Sequence, residues 1–337
     1  MTLQQFERHQ VWIYLAAILL GLALGTLVPG VAGAFEMLLW PVLGLLLFAT
    51  FTQVPLVHLP QAARDRRFIG AMLAGNFVLV PLLVWALYLF LPDNPAIQLG
   101  VLVVLLVPCT DWFITFTHLG RGDALRAAAA TPILLFVQIA LLPVFLWLFL
   151  GDTFLELLAA DRVAAAFVTL ILLPLAAAFV IERWAETRPG RQHVVGRLGW
   201  LPIPLLALVV FLIAASQVDA VRDALPLLAQ VAGIYVAYLV AAALFGCTVG
   251  CVAGLPAPER RTLIFSFGTR NSFVVLPLVL ALGPESSTAA VVIVLQSLVE
   301  LLGMIAYLWI VPRYLVPEHP PIGEERVMMD KTGGRHR

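Results

Sequence analysis

Long apolar runs joined by short, arginine-bearing connections constrain this chain more than any other feature. A helix crossing the hydrocarbon core needs about 17–25 apolar residues. Ten runs of that kind are present, at about 11–28, 35–57, 68–91, 97–119, 127–150, 163–181, 200–217, 227–252, 262–283 and 288–311. Runs of that length predict membrane-spanning helices. Composition agrees: 62% of residues are hydrophobic and 12% charged, against about 25% charged in soluble domains. Mean hydropathy is +1.00. A soluble enzyme, a secreted domain and a disordered chain are excluded. The formal net charge is zero, so no basic field favours nucleic acid as a partner. The lipid bilayer is the partner expected.

The basic residues give an orientation. Arg8; Arg64, Arg66 and Arg67; Arg121 and Arg126; Arg183, Arg188, Arg191 and Arg197; Arg260 and Arg261; and Arg313, Arg326, Lys331, Arg335 and Arg337 lie on one side if ten spans are threaded in order. The other side holds Arg162 and Arg222, and Arg270 lies inside span 9. By the positive-inside rule both termini are cytoplasmic, and arginine- and alanine-heavy usage, with Lys331 the one lysine, points to a bacterial inner membrane. The tail from 313 to 337 is polar and is expected to be disordered. Ten spans divide into five plus five, at 1–150 and 151–312. Five is odd, so the halves start on opposite sides, as inverted repeats do. Gln138 and Gln296 fall at the centres of the fifth span of each half.

Spans 4 and 9 are interrupted. Span 4 runs through apolar residues to Pro108-Cys109-Thr110-Asp111-Trp112, and span 9 reads Phe265-Ser266-Phe267-Gly268-Thr269-Arg270-Asn271-Ser272-Phe273. Proline removes a backbone donor and opposes the preceding turn. Unwound backbone at membrane depth is tolerated only inside protein or beside a water-filled cavity. Broken helices at matching places in two halves mark a transporter's midplane site, with N-termini facing anionic groups and freed carbonyls facing cations. A packed kink is the plainer alternative for either span alone.

Asp111, Arg270 and Glu300 are the charges inside spans. Each costs about 2.5–3.5 kcal/mol at mid-membrane on insertion scales. They are therefore expected inside, with Arg270 neutralising one acid, either as a structural lock or as part of a site. Asn76, Gln138 and Gln296 either line the same cavity or tie helices together. Cys247 and Cys251 share a helix face, either as a soft two-thiolate site or, the plainer alternative, as small packing residues in an Ala/Gly-rich helix. Nothing in the cysteine or histidine spacing indicates a structural metal or disulfides. Trp12, Trp40 and Trp309 are expected at the membrane interfaces. No nucleophile–base pair suggests an enzyme.

Four passages carry a family resemblance: Gly75-Asn76-Phe77 through Pro81-Leu82-Leu83; Val107-Pro108-Cys109-Thr110, followed by Gly122-Asp123; Arg270-Asn271-Ser272-Phe273; and Leu298-Val299-Glu300. In these the chain resembles the arsenite efflux permeases of the bile acid:sodium symporter superfamily. Where those permeases read Asn-Asn-Phe-Glu in span 9, this chain has Asn271-Ser272-Phe273-Val274. The resemblance implies ten spans in two inverted repeats, with spans 4 and 9 crossing at the midplane. It further implies a core of spans 3–5 and 8–10 moving against a panel of spans 1, 2, 6 and 7. Cys109 is implied as the functional thiol, suited to soft arsenic(III), and Glu300 as the span-10 acid.

The reading is a secondary transporter exchanging arsenite or a related metalloid for protons, with an ion gradient and no cofactor. Cys109, Thr110, Arg270, Asn271 and Ser272 contact the substrate; Asp111, Glu300, Gln296 and Asn76 handle protons or a cation. The alternative is a sodium-coupled importer of an organic anion, with Arg270 on a carboxylate. A membrane sensor on the same fold is a third class.

Overall fold

In the computed structural model, residues 3–28, 30, 32–54, 65–110, 112–150, 165–283 and 286–317 are described. Their helices, in chain order, are α1 (Leu3–Leu27), α2 (Ala32–Phe51), α3 (Arg66–Tyr88), α4 (Pro95–Leu105), α5 (Trp112–Leu119) and α6 (Ala124–Leu150). They continue with α7 (Phe167–Glu186), α8 (Pro202–Ser216, preceded by a short helix at Gln192–Leu198), α9 (Val218–Val252), α10 (Ala257–Gly268), α11 (Ser272–Ala281) and α12 (Ser287–Ile310). A single isolated β-bridge is the one piece of extended pairing among the described residues.

Seven of the helical segments are long and apolar enough to cross a membrane, and Trp12–Leu27, Pro95–Leu105 and Ser272–Ala281 are shorter apolar pieces. Every expected span thus falls on helix, and the two interrupted ones are each divided in two. The chain is an all-α polytopic membrane protein. Its outer face is apolar, with Leu20, Leu82 and Leu148 all exposed, while Asn76 and Glu300 are buried. That inversion of the soluble pattern is what a lipid solvent requires.

The ends of several helices differ from the expected spans. Span 1 was expected from 11, yet α1 begins at Leu3; span 8 was expected from 227, yet α9 begins at Val218. Apolar runs mark the hydrocarbon, whereas helices continue into the polar interface, where Asp219, Arg222 and Asp223 are tolerated. In the other direction α2 ends at Phe51, followed by a turn, ahead of the expected 57. The predicted disordered tail lies beyond 317, outside the described residues, apart from its first five residues.

Helices α1, α2, α7 and α8 pack mainly on one another, and α9, α10 and α12 form the centre of a second group with α3, α4 and α5. In the first group Gly21 and Gly25, one turn apart on α1, lie against α8. A Cβ would stand 2.4 Å from the Phe211 carbonyl oxygen at Gly21 and 2.3 Å from that of Ala215 at Gly25. Small residues at this spacing let two backbones meet in a membrane, where lipid tails supply no hydrophobic drive between helices. In the second group, tyrosines of α9 reach neighbouring backbone: Tyr235 donates to the Val292 carbonyl at 3.1 Å.

Candidate functional site

Both interrupted spans unwind at one place and pair there. Pro108 and Arg270 form the antiparallel bridge. The Cys109 amide donates to the Thr269 carbonyl at 3.2 Å, and the Asn271 amide donates to the Val107 carbonyl at 2.8 Å. Proline cannot donate, so the bonds fall on its neighbours. Thr269 is extended (φ −97, ψ 136), which ends α10. Asn271 restarts the helix, its side chain accepting from the Val274 amide at 3.3 Å as the N-cap of α11. Each segment thereby satisfies backbone groups that the other leaves free, which answers the membrane's demand on unwound chain. The spans cross, as the resemblance implied.

Four helix ends converge on the crossing: the C-termini of α4 and α10, and the N-termini of α5 and α11. Each end carries about half an elementary charge, negative at a C-terminus and positive at an N-terminus. The Arg270 side chain, 2% exposed, turns to the C-termini. Its Nη2 donates to the Ser266 carbonyl at 2.8 Å, the Phe267 carbonyl at 3.1 Å and the Asn76 Oδ1 at 2.7 Å. Its Nη1 donates to the Leu105 carbonyl, the last of α4, at 3.4 Å. The Tyr238 ring lies 5.7 Å from the guanidinium carbon, within cation–π range.

Glu300 meets Arg270 through main chain. Its Oε2 accepts from the Arg270 amide at 2.8 Å and from Gln296 Nε2 at 2.7 Å. Gln296 Oε1 in turn accepts from the Ser272 hydroxyl at 2.6 Å. A relay therefore runs Ser272–Gln296–Glu300–Arg270, tying α11 and α12 to the crossing. The expectation that Arg270 and an acid would associate holds for Glu300, but the guanidinium spends its hydrogen bonds on carbonyls and Asn76. Asn271 Nδ2 donates to Thr110 Oγ1 at 3.3 Å, and Cys109 is buried beside them, in no disulfide. Eight of the nine residues singled out from sequence thus sit at one crossing; Asp111 lies outside the described residues.

Three contributors were given no role from sequence. Tyr238 donates to the Phe267 carbonyl at 2.7 Å, and nothing in an Ala-rich span distinguishes it in advance. Ser266 accepts from Asn76 Nδ2 at 3.0 Å. The Gly75–Leu79 stretch is a π-turn, a feature frequent at functional sites; it places Asn76 against α10. Glycine is needed there, because a Cβ at 75 would fall 1.7 Å from a carbon of the Phe267 ring. Gln138 is buried, and neither of its amide atoms has a partner. Cys247 and Cys251 lie elsewhere: Cys247 Sγ is 3.7 Å from the Leu315 carbonyl and from Arg260, and Cys251 is exposed.

Two crevices separate the second halves of the broken spans, α5 and α11, from the first group of helices. One, of about 200 Å³, is lined by Gln10, Thr50, Gln53, Trp112, Thr115 and Ile203, between α5 and helices of the first group. Another, of about 500 Å³, is lined by Glu36, Trp40, Thr169, Leu170, Leu280 and Gly283, between α11 and that same group. Trp112, the first residue of α5, stacks on Tyr14 of α1 at 6.2 Å and lies 5.7 Å from Phe273 of α11. Trp12 and Trp309 are exposed, as interfacial residues would be, whereas Trp40 lines a crevice.

Residues 40–224 match the family model described as the Sodium Bile acid symporter family. The Arsenical-resistance protein Acr3 of Corynebacterium glutamicum is 27% identical over 346 aligned positions, covering 93% of this chain and 90% of that protein. The family match includes two of the four passages singled out from sequence, those at 75–83 and 107–123. With more than half its length matched, and with its two broken helices meeting at one buried polar site, this membrane transporter belongs to the sodium bile acid symporter family.

Proposed function

We propose that the chain exports arsenite, or a closely related metalloid, across the cytoplasmic membrane in exchange for protons. The observation that carries this reading is the charge balance of the crossing. The two C-terminal helix ends supply about one negative charge, and the Arg270 guanidinium, bonded to both, cancels it. The two N-terminal ends supply about one positive charge, and Glu300, counted as a carboxylate, cancels that. The described residues leave no net charge for an anion or a cation to neutralise. A neutral hydroxide of arsenic(III) suits such a site, and an organic anion does not.

The thiol supplies the affinity. Cys109 sits at the crossing, and thiolate is the soft ligand that arsenic(III) prefers. Binding replaces one As–OH bond by an As–S bond and releases water, which carries off the thiol proton, so the site stays neutral; hydrolysis of that single As–S bond reverses the step, as release requires. Thr110, Asn271 and Ser272 offer hydroxyl and amide groups to the hydroxyls of the cargo. Asp111 adjoins Thr110 in sequence and adds an acid beyond the balanced set, which makes it the carrier of the exchanged proton. Asn76, Gln296 and Glu300 hold Arg270 and the α11 N-terminus in register while that proton moves. The similarity to an arsenical-resistance protein supports the cargo.

The test is uptake of arsenite into everted membrane vesicles, with and without an imposed proton gradient. Gradient-dependent accumulation is expected, with loss in Cys109→Ala and in Asp111→Asn. Equal uptake in vesicles lacking the protein, with folded protein shown in the others, would overturn the reading. Sodium-driven uptake of an organic anion would replace it.

A further inference from the structure

Carbonyls freed at the C-terminal ends of discontinuous helices are where a secondary transporter holds its coupling cation. In this chain that place is filled. Three oxygens from two elements, the Ser266 and Phe267 carbonyls and Asn76 Oδ1, converge on Arg270 Nη2 at 2.7–3.1 Å. The Leu105 carbonyl at the end of the other half-helix accepts from Nη1. Hard cations take oxygen ligands only a few tenths of an ångström closer than this. We propose that Arg270 is a built-in cation: its guanidinium occupies the oxygen cage that the two broken helices would otherwise offer to sodium, so the transport cycle proceeds without sodium bound there.

Chemistry favours this role over one on the cargo. The guanidinium is buried, and four hydrogen bonds already direct it at fixed acceptors rather than into a crevice. Tyr238 covers it from α9, with its ring toward the guanidinium and its hydroxyl on the Phe267 carbonyl. A guanidinium keeps its charge throughout a proton-driven cycle, whereas a bound sodium must enter and leave. The donor set of the cage is entirely neutral oxygen, the set that suits a monovalent hard cation. The consequence is reciprocal: taking the side chain away should leave a vacant oxygen cage. This rests on the crossing as the transport site, but not on which cargo crosses.

Thermal unfolding of the purified protein in one detergent, in sodium chloride against choline chloride at equal ionic strength, tests the idea without any cargo. The wild type is expected to unfold at the same temperature in both salts and to retain no radioactive sodium. Arg270→Ala is expected to unfold several degrees higher in sodium than in choline, saturably, and to retain sodium. Arg270→Lys, whose ammonium refills the cage, should lose that difference. A sodium-specific shift in the wild type would overturn the proposal, and so would a folded Arg270→Ala that shows neither shift nor retention. If Arg270→Ala folds in neither salt, sodium retention by the wild type decides. Failure of arsenite transport would leave these outcomes untouched, so the two readings fail separately.

Discussion

Asn76 is the side chain through which α3 holds Arg270, and replacing it measures how strongly the guanidinium is fixed. Asn76→Leu keeps approximate volume and removes two tertiary bonds. The first is the 2.7 Å bond from Arg270 Nη2. Hydrogen bonds to charged groups contribute about 1.5–3 kcal/mol. The second is the 3.0 Å bond to Ser266, a neutral interhelical bond of about 0.6 kcal/mol in membrane proteins. The expected cost is therefore about 2–4 kcal/mol. Ser266→Ala removes only the second bond and should cost about 0.6 kcal/mol. Asn76→Asp keeps an acceptor for Arg270 and gives up the donor, so it should fall between them. Reversible unfolding in mixed micelles, titrated with sodium dodecyl sulfate, reads all three. Equal costs for Asn76→Leu and Ser266→Ala, within about 0.5 kcal/mol, would refute the claim that the guanidinium bond dominates this contact.

Other perturbations probe the relay and its supports. Ser272→Ala leaves Gln296 Oε1 without its 2.6 Å donor; a loss of about 1–3 kcal/mol in the same titration is expected, with Ser272→Thr restoring most of it. Gly75→Ala should prevent recovery of monodisperse protein by size-exclusion chromatography, since its Cβ would overlap the Phe267 ring; adding Phe267→Leu should restore folding. Arg126, which pairs with the buried Glu259 and with Asp65 at 3.1 Å, joins the segments around α3, α6 and α10. Its side chain is 40% exposed, so Arg126→Gln should cost about 1–3 kcal/mol, between the ranges for exposed and buried pairs, as read by thermal unfolding. Cys247→Ser with Cys251→Ser should leave arsenite uptake within twofold of wild type, because neither thiol reaches the crossing.

Much of the site was legible because a membrane penalises polar groups so heavily. A polar residue in the middle of an apolar run needs a partner, and Asn76, Arg270, Gln296 and Glu300 each stood out for that reason and found one another. Pro108 and Gly268 gave away the breaks because each adjoins a polar cluster at mid-span; proline alone does not break a span here, since Pro132 and Pro143 stay inside α6. The partner of each side chain was less legible. Arg270 was expected to seek a carboxylate, and freed carbonyls were expected to face a cation; the sequence did not join the two, and the guanidinium is itself the cation on those carbonyls. Tyr238 escaped notice because it sits mid-span among alanines and valines with nothing in its neighbours to distinguish it, and its value lies in facing α10. Helix ends were misjudged where polar turns such as Asp219–Asp223 extend helix beyond the hydrocarbon. The π-turn at Gly75–Leu79 has no composition of its own; only the glycine hints at the close approach of Phe267.

The central claim is that a neutral arsenic(III) species is held by the Cys109 thiol at the crossing. X-ray absorption at the arsenic edge, on purified protein equilibrated with arsenite and freed of excess, tests it most directly. One sulfur neighbour is expected in the arsenic's first shell, unchanged in the Cys247→Ser, Cys251→Ser double variant and absent in Cys109→Ser. An all-oxygen shell in the wild type, or a sulfur that persists in Cys109→Ser, would contradict the account.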